Sequence, residues 1–150
     1  MDGTITLVTA ADLPDLLPLM RGYCDFYGVA PSDAHLTDLS TALLDHPSEG
    51  LQLIARTDAG DPVGFATVYW TWQTLSAARC GVMNDLFVVP AHRGEGWADR
   101  LIGACADKCR ESGIKTLIWQ TALDNERAQA VYRRVGATPE QWLDWSLDVD

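Results

Sequence analysis

The stretch "LFVVPAHRGEGWADRLI", from Leu86 to Ile102, leaves a β-branched and aromatic strand through a proline, passes a turn with two glycines and enters a helix. Glycines let backbone N–H groups crowd around a ligand, and a helix start adds partial positive charge. Such a junction suits an anion. A P-loop would need GxxxxGK[ST], and no such lysine–hydroxyl pair is present. A dinucleotide fingerprint would need GxGxxG after the first strand, but Asp99 stands where the third glycine belongs and the unit lies late in the chain. The pattern that remains is R-x-x-G-x-A, carried by Arg93, Gly96 and Ala98. Its geometry fits a pyrophosphate; the competing reading is a tight turn without a ligand. Two further groups could do chemistry: Asp85 in the strand before the turn, and Tyr132, seven residues after Asn125 in "DNERAQAVYRRVGA".

The elements that must position these groups follow from periodicity. "TITLVT" predicts a first strand, and "AADLPDLLPLMRGYCDFYG" a helix with Asp12 as cap and Pro14 in its first turn. Pro18 predicts a kink or a late start. Leu36, Leu39, Leu43 and Leu44 predict a second helix with Ser32 as N-cap, stopped by Pro47. "LQLIAR" and "PVGFATVYWTW" flank the turn "TDAGD" as a hairpin, and "CGVMNDLFVV" follows as a strand. The helix after the glycine turn places Leu101, Ile102, Cys105 and Cys109 on one stripe, and Gly113 ends it. "KTLIWQT" reads as a short strand buried on both faces, "NERAQAVYRRVG" as a helix, and "QWLDWSLDV" as a final strand. The order β-α-α-β-β-β-α-β-α-β describes a mixed α/β fold. Its N-terminal strands are antiparallel, and a right-handed β-α-β unit sets "LFVV" and "LIWQ" parallel.

Composition sets the outer limits. The 150 residues fit one domain, 1–150, and 47% hydrophobic with 21% charged residues is ordinary globular usage. No apolar run reaches the roughly 20 residues of a membrane span, and the N-terminus lacks the pattern of a signal peptide. Cys24, Cys80, Cys105 and Cys109 form no CxxC pair and no metal spacing, which predicts a metal-free protein in a reduced, cytoplasmic setting. A net charge of -10 argues against nucleic acid and permits a cationic partner; it also serves solubility alone.

With these residues in view, the chain resembles the GCN5-related N-acetyltransferase (GNAT) superfamily. The pyrophosphate loop of that superfamily reads [Q/R]-x-x-G-x-[G/A], and its later N-x-x-A-x-x-x-Y matches Asn125, Ala128 and Tyr132. Either motif alone is weak; together, in this strand–helix order, they are specific. The resemblance runs from Val63 onward and looks closest to the spermidine/spermine-type small-amine acetyltransferases. That branch often has an acidic residue where Asn84 stands, followed by an aspartate matching Asp85.

The resemblance implies acetyl-CoA as donor and co-substrate. It places the pantetheine arm on the backbone of Leu86, Phe87 and Val88, and the pyrophosphate on the loop Arg93, Gly94, Glu95, Gly96, Trp97, Ala98 and Asp99. Asn125 would contact the arm from the other side, and Arg127, Arg133 and Arg134 could reach the 3′-phosphate. A backbone N–H near Phe87 or Val88 would serve the oxyanion. Tyr132 would protonate the leaving thiolate. Asp85 would be the base through a water, since Gln120 stands where some relatives have glutamate. Tyr23, Asp25 and Tyr27 fall in the acceptor segment. Glu95 and Asp99 stand out beside a phosphate site, with Arg93 and Arg100 to offset them, whereas Trp70 and Trp72 read as core packing. The expected activity is acetyl transfer to a primary amine, small and cationic, by direct attack in a ternary complex. The alternatives are an aminoglycoside or protein/peptide acetyltransferase, or a non-catalytic acyl-CoA-binding module. The expected partners are acetyl-CoA and an amine acceptor, without nucleic acid or membrane and with room for a homodimer.

Overall fold

A computed structural model describes residues 2–150. The strands are β1 (Thr4–Leu7), β2 (Gly50–Arg56), β3 (Pro62–Gln73), β4 (Ala78–Val88) and β5 (Leu117–Ile118). The helices are α1 (Leu13–Phe26), α2 (Asp33–Asp45), α3 (Trp97–Glu111) and α4 (Glu126–Arg134). The strands form one sheet in sequence order, antiparallel from β1 to β4, with β5 parallel to β4. The expected mixed α/β fold with four helices is present. No helix among the described residues is long and apolar enough to cross a membrane.

Strand alternation divides the core into two layers. On β2, Leu53 and Ala55 face the layer that holds Trp97, Leu101 and Cys105 of α3, while Ile54 faces Leu16, Leu19 and Met20 of α1. Phe65 and Phe87, paired across β3 and β4, join the α1 layer. Ser32 caps α2 by accepting the His35 N–H at 3.1 Å. Pro18 is accommodated inside α1, where the buried stripe Leu16, Leu19, Met20 and Cys24 offsets the backbone bond it removes. Asp12 occupies the N-cap position of α1 but makes no cap bond to it; its carboxylate accepts from the Thr9 N–H and from Arg56.

Three expected strands differ from the structure. The "KTLIWQT" strand is only two residues long, and Ile118 is 40% exposed, because β5 lies at the sheet edge and leaves β4 after two pairs. The "QWLDWSLDV" segment is no strand at all: residues 137–150 carry no regular structure. The first strand also stops at Leu7, short of Thr9.

Candidate active site

The site begins as a defect in the sheet. β4 pairs with β5 only at Gly81–Leu117 and Val82–Ile118, yet β4 continues to Val88. From Met83 onward its outer edge has no strand beside it among the described residues. On its other edge the register slips: Thr67 faces Asp85 and Val68 faces Met83, so Asn84 is a bulge residue without a partner. A bulge bends its strand and sharpens the local twist, which accounts for the divergence beginning there.

Backbone direction along β4 then decides which groups face the gap. The Val89 N–H bonds to Val63 O at 2.9 Å, toward β3. Polar groups alternate sides along a strand, so Phe87 also faces β3, and Leu86 and Val88 present theirs to the gap. The Val88 carbonyl accepts from Arg93 Nε at 3.0 Å, consistent with that direction. This corrects the reading at Phe87, whose polar groups pair with Phe65 and whose ring is core. The Leu86 and Val88 N–H groups are the donors left for an oxyanion or an extended arm.

Asp85 sits at the bend and is 8% exposed. Asn84 Nδ2 donates to its Oδ1 at 2.9 Å, and the Thr67 and Tyr23 hydroxyls lie nearby. Burial pushes its pKa up, and those three polar neighbours oppose the rise. Tyr23, whose hydroxyl donates to the Asn84 carbonyl at 3.2 Å, has its own pKa pushed up by burial and then by Asp85. Tyr69 is raised to about 12 by the same two causes in the same order. Behind Asp85, Gln52 Nε2 donates to Thr67 Oγ1 at 3.1 Å, and both residues are buried. Sequence reasoning missed Gln52, Thr67 and Tyr69. The available signal was two polar residues at inward positions of otherwise apolar strands, which a buried polar group requires a partner to justify.

Beyond Val89 the chain turns through Gly94 at φ 81° and Gly96 at φ 86° into α3. Gly96 is the N-cap and offers no side chain, so the first N–H groups of α3 are left without a side-chain acceptor. Nothing lies within 4 Å of where a Gly94 Cβ would stand, so the turn is open on that side. The acidic residues are held. Glu95 accepts from His92 Nδ1 at 3.0 Å and Trp97 Nε1 at 3.2 Å, and the His92 bond is the main cause of its lowered pKa. Asp99 takes both Nε and an Nη of Arg134 at 2.7 Å, which lowers its pKa as well. Their repulsion toward a phosphate is thereby reduced by neighbours other than the expected pair. Arg100 does not contribute: it donates to the Asp2 and Gly3 carbonyls and stacks on Trp97. Arg93 lies over Phe26 and Phe87. Trp97 is 2% exposed and core, so only its backbone can meet a ligand.

On α4, Asn125 Oδ1 caps the helix by accepting from the Ala128 N–H at 3.1 Å, which leaves Nδ2 as its free donor. Tyr132 is half-buried, with Trp119 edge-on at 5.3 Å. Burial raises its pKa, the Thr121 hydroxyl lowers it, and Tyr27 adds a small rise. Tyr27 packs against Tyr23 with ring centroids 5.0 Å apart, both at the end of α1. Arg134 is committed to Asp99, which leaves Arg127 and Arg133 as the expected phosphate contacts not held by an acid among the described residues. Asp25 is exposed, and Asp33 is ion-paired with Arg21. Gln120 donates to Asp144 at 2.8 Å. Trp70 packs on the core as expected, but Trp72 is 70% exposed and lies under Arg79.

The Asp85 environment gives a prediction whose sign is unusual for an active-site change. A carboxyl with a folded pKa above its unfolded value contributes stability below the ordinary carboxylate range and loses it as pH rises through the folded pKa. Asp85→Asn should therefore raise Tm at pH 7, and the gain should fade as the pH falls into the acid range. Turnover should drop about 10²-fold if the group takes a proton. Thermal melts across pH beside kcat check both halves; a lower Tm at pH 7 would show Asp85 to be a structural acceptor.

The arrangement matches known proteins. The family model of the acetyltransferase (GNAT) family matches residues 16–137. The uncharacterized N-acetyltransferase YhfO of Bacillus subtilis is 35% identical over 128 residues, covering 84% of this chain and 83% of that protein. Among solved structures, a probable acetyltransferase is similar with TM-score 0.86 and 27% identity, covering 98% of each chain. AAC(6')-Iy, in complex with the bisubstrate analogue CoA-S-monomethyl-acetylneamine, shares the fold with TM-score 0.86 and 21% identity over 100% of both chains. A parted β4–β5 pair, a glycine-capped helix start and these similarities lead to one conclusion: the chain belongs to the acetyltransferase (GNAT) family of acetyl-CoA-dependent N-acetyltransferases.

Proposed function

We propose that the chain acetylates a small cationic primary amine by direct attack within a ternary complex. The observation that supports this reading is the parting of β4 and β5 after Val82, with the buried carboxyl group of Asp85 on β4 just beyond it; Tyr132 on α4 supplies the phenol. Bound acetyl-CoA supplies an activated thioester. The N–H groups of Gly94 to Asp99 and the α3 start hold the pyrophosphate, the β4 edge at Leu86 and Val88 aligns the arm, and Asn125 Nδ2 donates from the far side. The acceptor enters between Tyr23 and Tyr27.

Alkyl amines are protonated at pH 7, with a pKa of about 10.4 for lysine. Asp85 first takes the ammonium proton through a water. The amine nitrogen then bonds to the thioester carbon, while a β4 N–H holds the developing oxyanion. As the C–S bond breaks, Tyr132 gives its phenolic proton to the sulfur; the second proton, lost by the nitrogen as it becomes the amide, passes through water to the phenolate and restores it, and Asp85 releases its own to solvent. One product carries the new amide and the other a thiol. In this account Asp85 and Tyr132 never compete for one proton, because they stand on different elements flanking the gap.

A small-amine acceptor of the spermidine/spermine type is supported by the similarity of the β4–loop sequence, and by the net charge of -10. An aminoglycoside is the second reading, because the bisubstrate analogue in the AAC(6')-Iy structure joins CoA to acetylneamine. Both are polycations at neutral pH. Four free, buried cysteines accord with a reduced, cytoplasmic setting.

A salt series tests the acceptor class. With the best amine found by screening aliphatic polyamines, aminoglycosides and peptides, kcat/KM should fall as salt rises, since screening acts over roughly 8–10 Å. The kcat should change little, and kcat/KM should rise with pH as more of the amine is neutral. Insensitivity to salt, or preference for a neutral or anionic amine, would assign the acidity to solubility alone.

A further inference from the structure

Ser40, Gln52, Thr67 and Asp85 are buried polar side chains in an otherwise apolar interior, and the last three are not scattered. Gln52 pairs with Thr67 in the β2–β3 register, and Thr67 pairs with Asp85 in the β3–β4 register, so the three form one row across three strands. Each stands two residues from Ile54, Phe65 or Phe87, so by strand alternation the row points into the α1 layer. Residues directly opposite on one sheet face have Cβ atoms about 4.5–5.5 Å apart, which brings the Thr67 hydroxyl near the Asp85 carboxyl. Such a row is costly unless its members are paired.

The row has a direction, and Met20 supplies it. Gln52 Nε2 donates to Thr67 Oγ1 at 3.1 Å and reaches Met20 Sδ at 3.9 Å. Ser40 Oγ, from α2, donates to the same sulfur at 3.4 Å. A thioether sulfur accepts and has no proton to give. Turning the Gln52 amide over would set its oxygen against that sulfur, acceptor facing acceptor, so the NH2 end is held toward Met20 and Thr67. Thr67 Oγ1 therefore accepts from Gln52, and its own hydrogen is left for another partner. The acceptor opposite is the Asp85 carboxyl. The titratable groups that face Asp85 are phenols, Tyr23 from α1 and Tyr69 from β3, both held protonated by burial and by Asp85 itself.

We propose that Gln52 is a positioning residue of the reaction: its donation to Thr67 Oγ1 commits that hydroxyl's hydrogen to the Asp85 carboxylate, and thereby sets the acid limb of kcat. A donor aimed at the charged form favours the carboxylate, which is the form that takes the ammonium proton. Burial by itself would keep Asp85 protonated over more of the working range, and the row opposes that. This role rests on Asp85 acting as the base.

Two readouts on the full chain test it. One is kcat against pH at saturating acetyl-CoA and amine, which reports groups in the bound complex. The other is the carbon NMR titration of the Asp85 carboxyl, identified by its loss in Asp85→Asn. Thr67→Val removes the hydroxyl at nearly constant shape and should move both midpoints up by about one pH unit, the size of one hydrogen bond to a charged group. Gln52→Leu should move them the same way by less, because the released hydroxyl still turns to Asp85 part of the time. Met20→Leu keeps the packing but frees the amide to turn over, and should act like Gln52→Leu. Thr67→Ser keeps the hydroxyl and should restore the wild-type midpoints. The double variant Gln52→Leu with Thr67→Val should match Thr67→Val alone, since Gln52 acts through Thr67. Unmoved carboxyl midpoints in Gln52→Leu and Met20→Leu would overturn the proposal. So would a double variant whose shift is the sum of the two singles, which would mean that Gln52 acts on Asp85 directly. A rate lowered evenly across pH, with the carboxyl midpoint in place, would reduce the row to packing and equally overturn it. Carboxyl midpoints that move while the kcat profile does not, with Asp85→Asn keeping wild-type turnover, would remove Asp85 as the base and the positioning role with it.

Discussion

Tyr132→Phe should lower kcat by about 10²-fold or more while leaving donor affinity within a factor of two or so, because a general acid typically contributes about 10²–10⁴ in rate. The substitution removes one oxygen and keeps the ring, so the edge-on contact with Trp119 at 5.3 Å survives. Stability should therefore change little. Burial raises the phenol's pKa, so the hydroxyl is protonated at working pH, and the Thr121 hydroxyl opposes the rise that would weaken it as an acid. A loss in kcat and kcat/KM together, with KM for acetyl-CoA unchanged, would assign the hydroxyl to the transition state. Wild-type turnover in the variant would demote Tyr132 to packing and would favour a binding module over an enzyme for this particular chain. Single-turnover measurements separate chemistry from product release and keep the result unambiguous.

The contrast between Tyr132 and its surroundings shows what was legible in the sequence. The hairpin of β2 and β3 was legible because two apolar, strand-favouring runs on either side of a Gly–Asp turn are local signals, and Ser32 because an N-cap bonds only three residues ahead. The shortness of β5 was not. It depends on the Asn84 bulge, which is a property of the β3–β4 pairing and not of "KTLIWQT" itself. The tail shows the same limit from the other side: period-two alternation says which face of a strand is apolar, never whether a partner edge is within reach. The loop's charges failed for a third reason. Asp99 and Arg134 are 35 positions apart, so nothing local announced that the one would neutralise the other, or that Arg100 would turn to the Gly3 carbonyl. Backbone direction was likewise hidden. Naming Leu86, Phe87 and Val88 together was as far as a motif could go, whereas the Val89–Val63 bond selects Leu86 and Val88.

Gly96→Val should weaken CoA binding by about 10³-fold, the largest loss expected of any single change here. Two costs combine. Gly96 sits at φ 86°, a left-handed conformation that costs an L-residue roughly 1–2 kcal/mol and a β-branched one more. The loop can relieve that strain only by rotating the peptide that aims the first α3 N–H groups outward. Hydrogen bonds to a charged group contribute about 1.5–3 kcal/mol each, so misdirecting two of them costs about 3–6 kcal/mol, or roughly 10²–10⁴ in affinity. In the proposed pyrophosphate site, valine's methyl groups would also crowd the phosphate oxygens. Gly96→Ala isolates the conformational part and should fall between valine and wild type. Cys105→Ala supplies the control: it lies in the core stripe of the same helix, 0% exposed, so it should cost stability while leaving CoA affinity intact. Calorimetric titration of CoA into the three variants gives the ranking. Unchanged affinity in Gly96→Val would mean the pyrophosphate is held by side chains rather than by the turn. The functional assignment of Arg93 to Asp99 would then have to move to the cations of α4, Arg127 and Arg133, because Arg134 is already spent on Asp99.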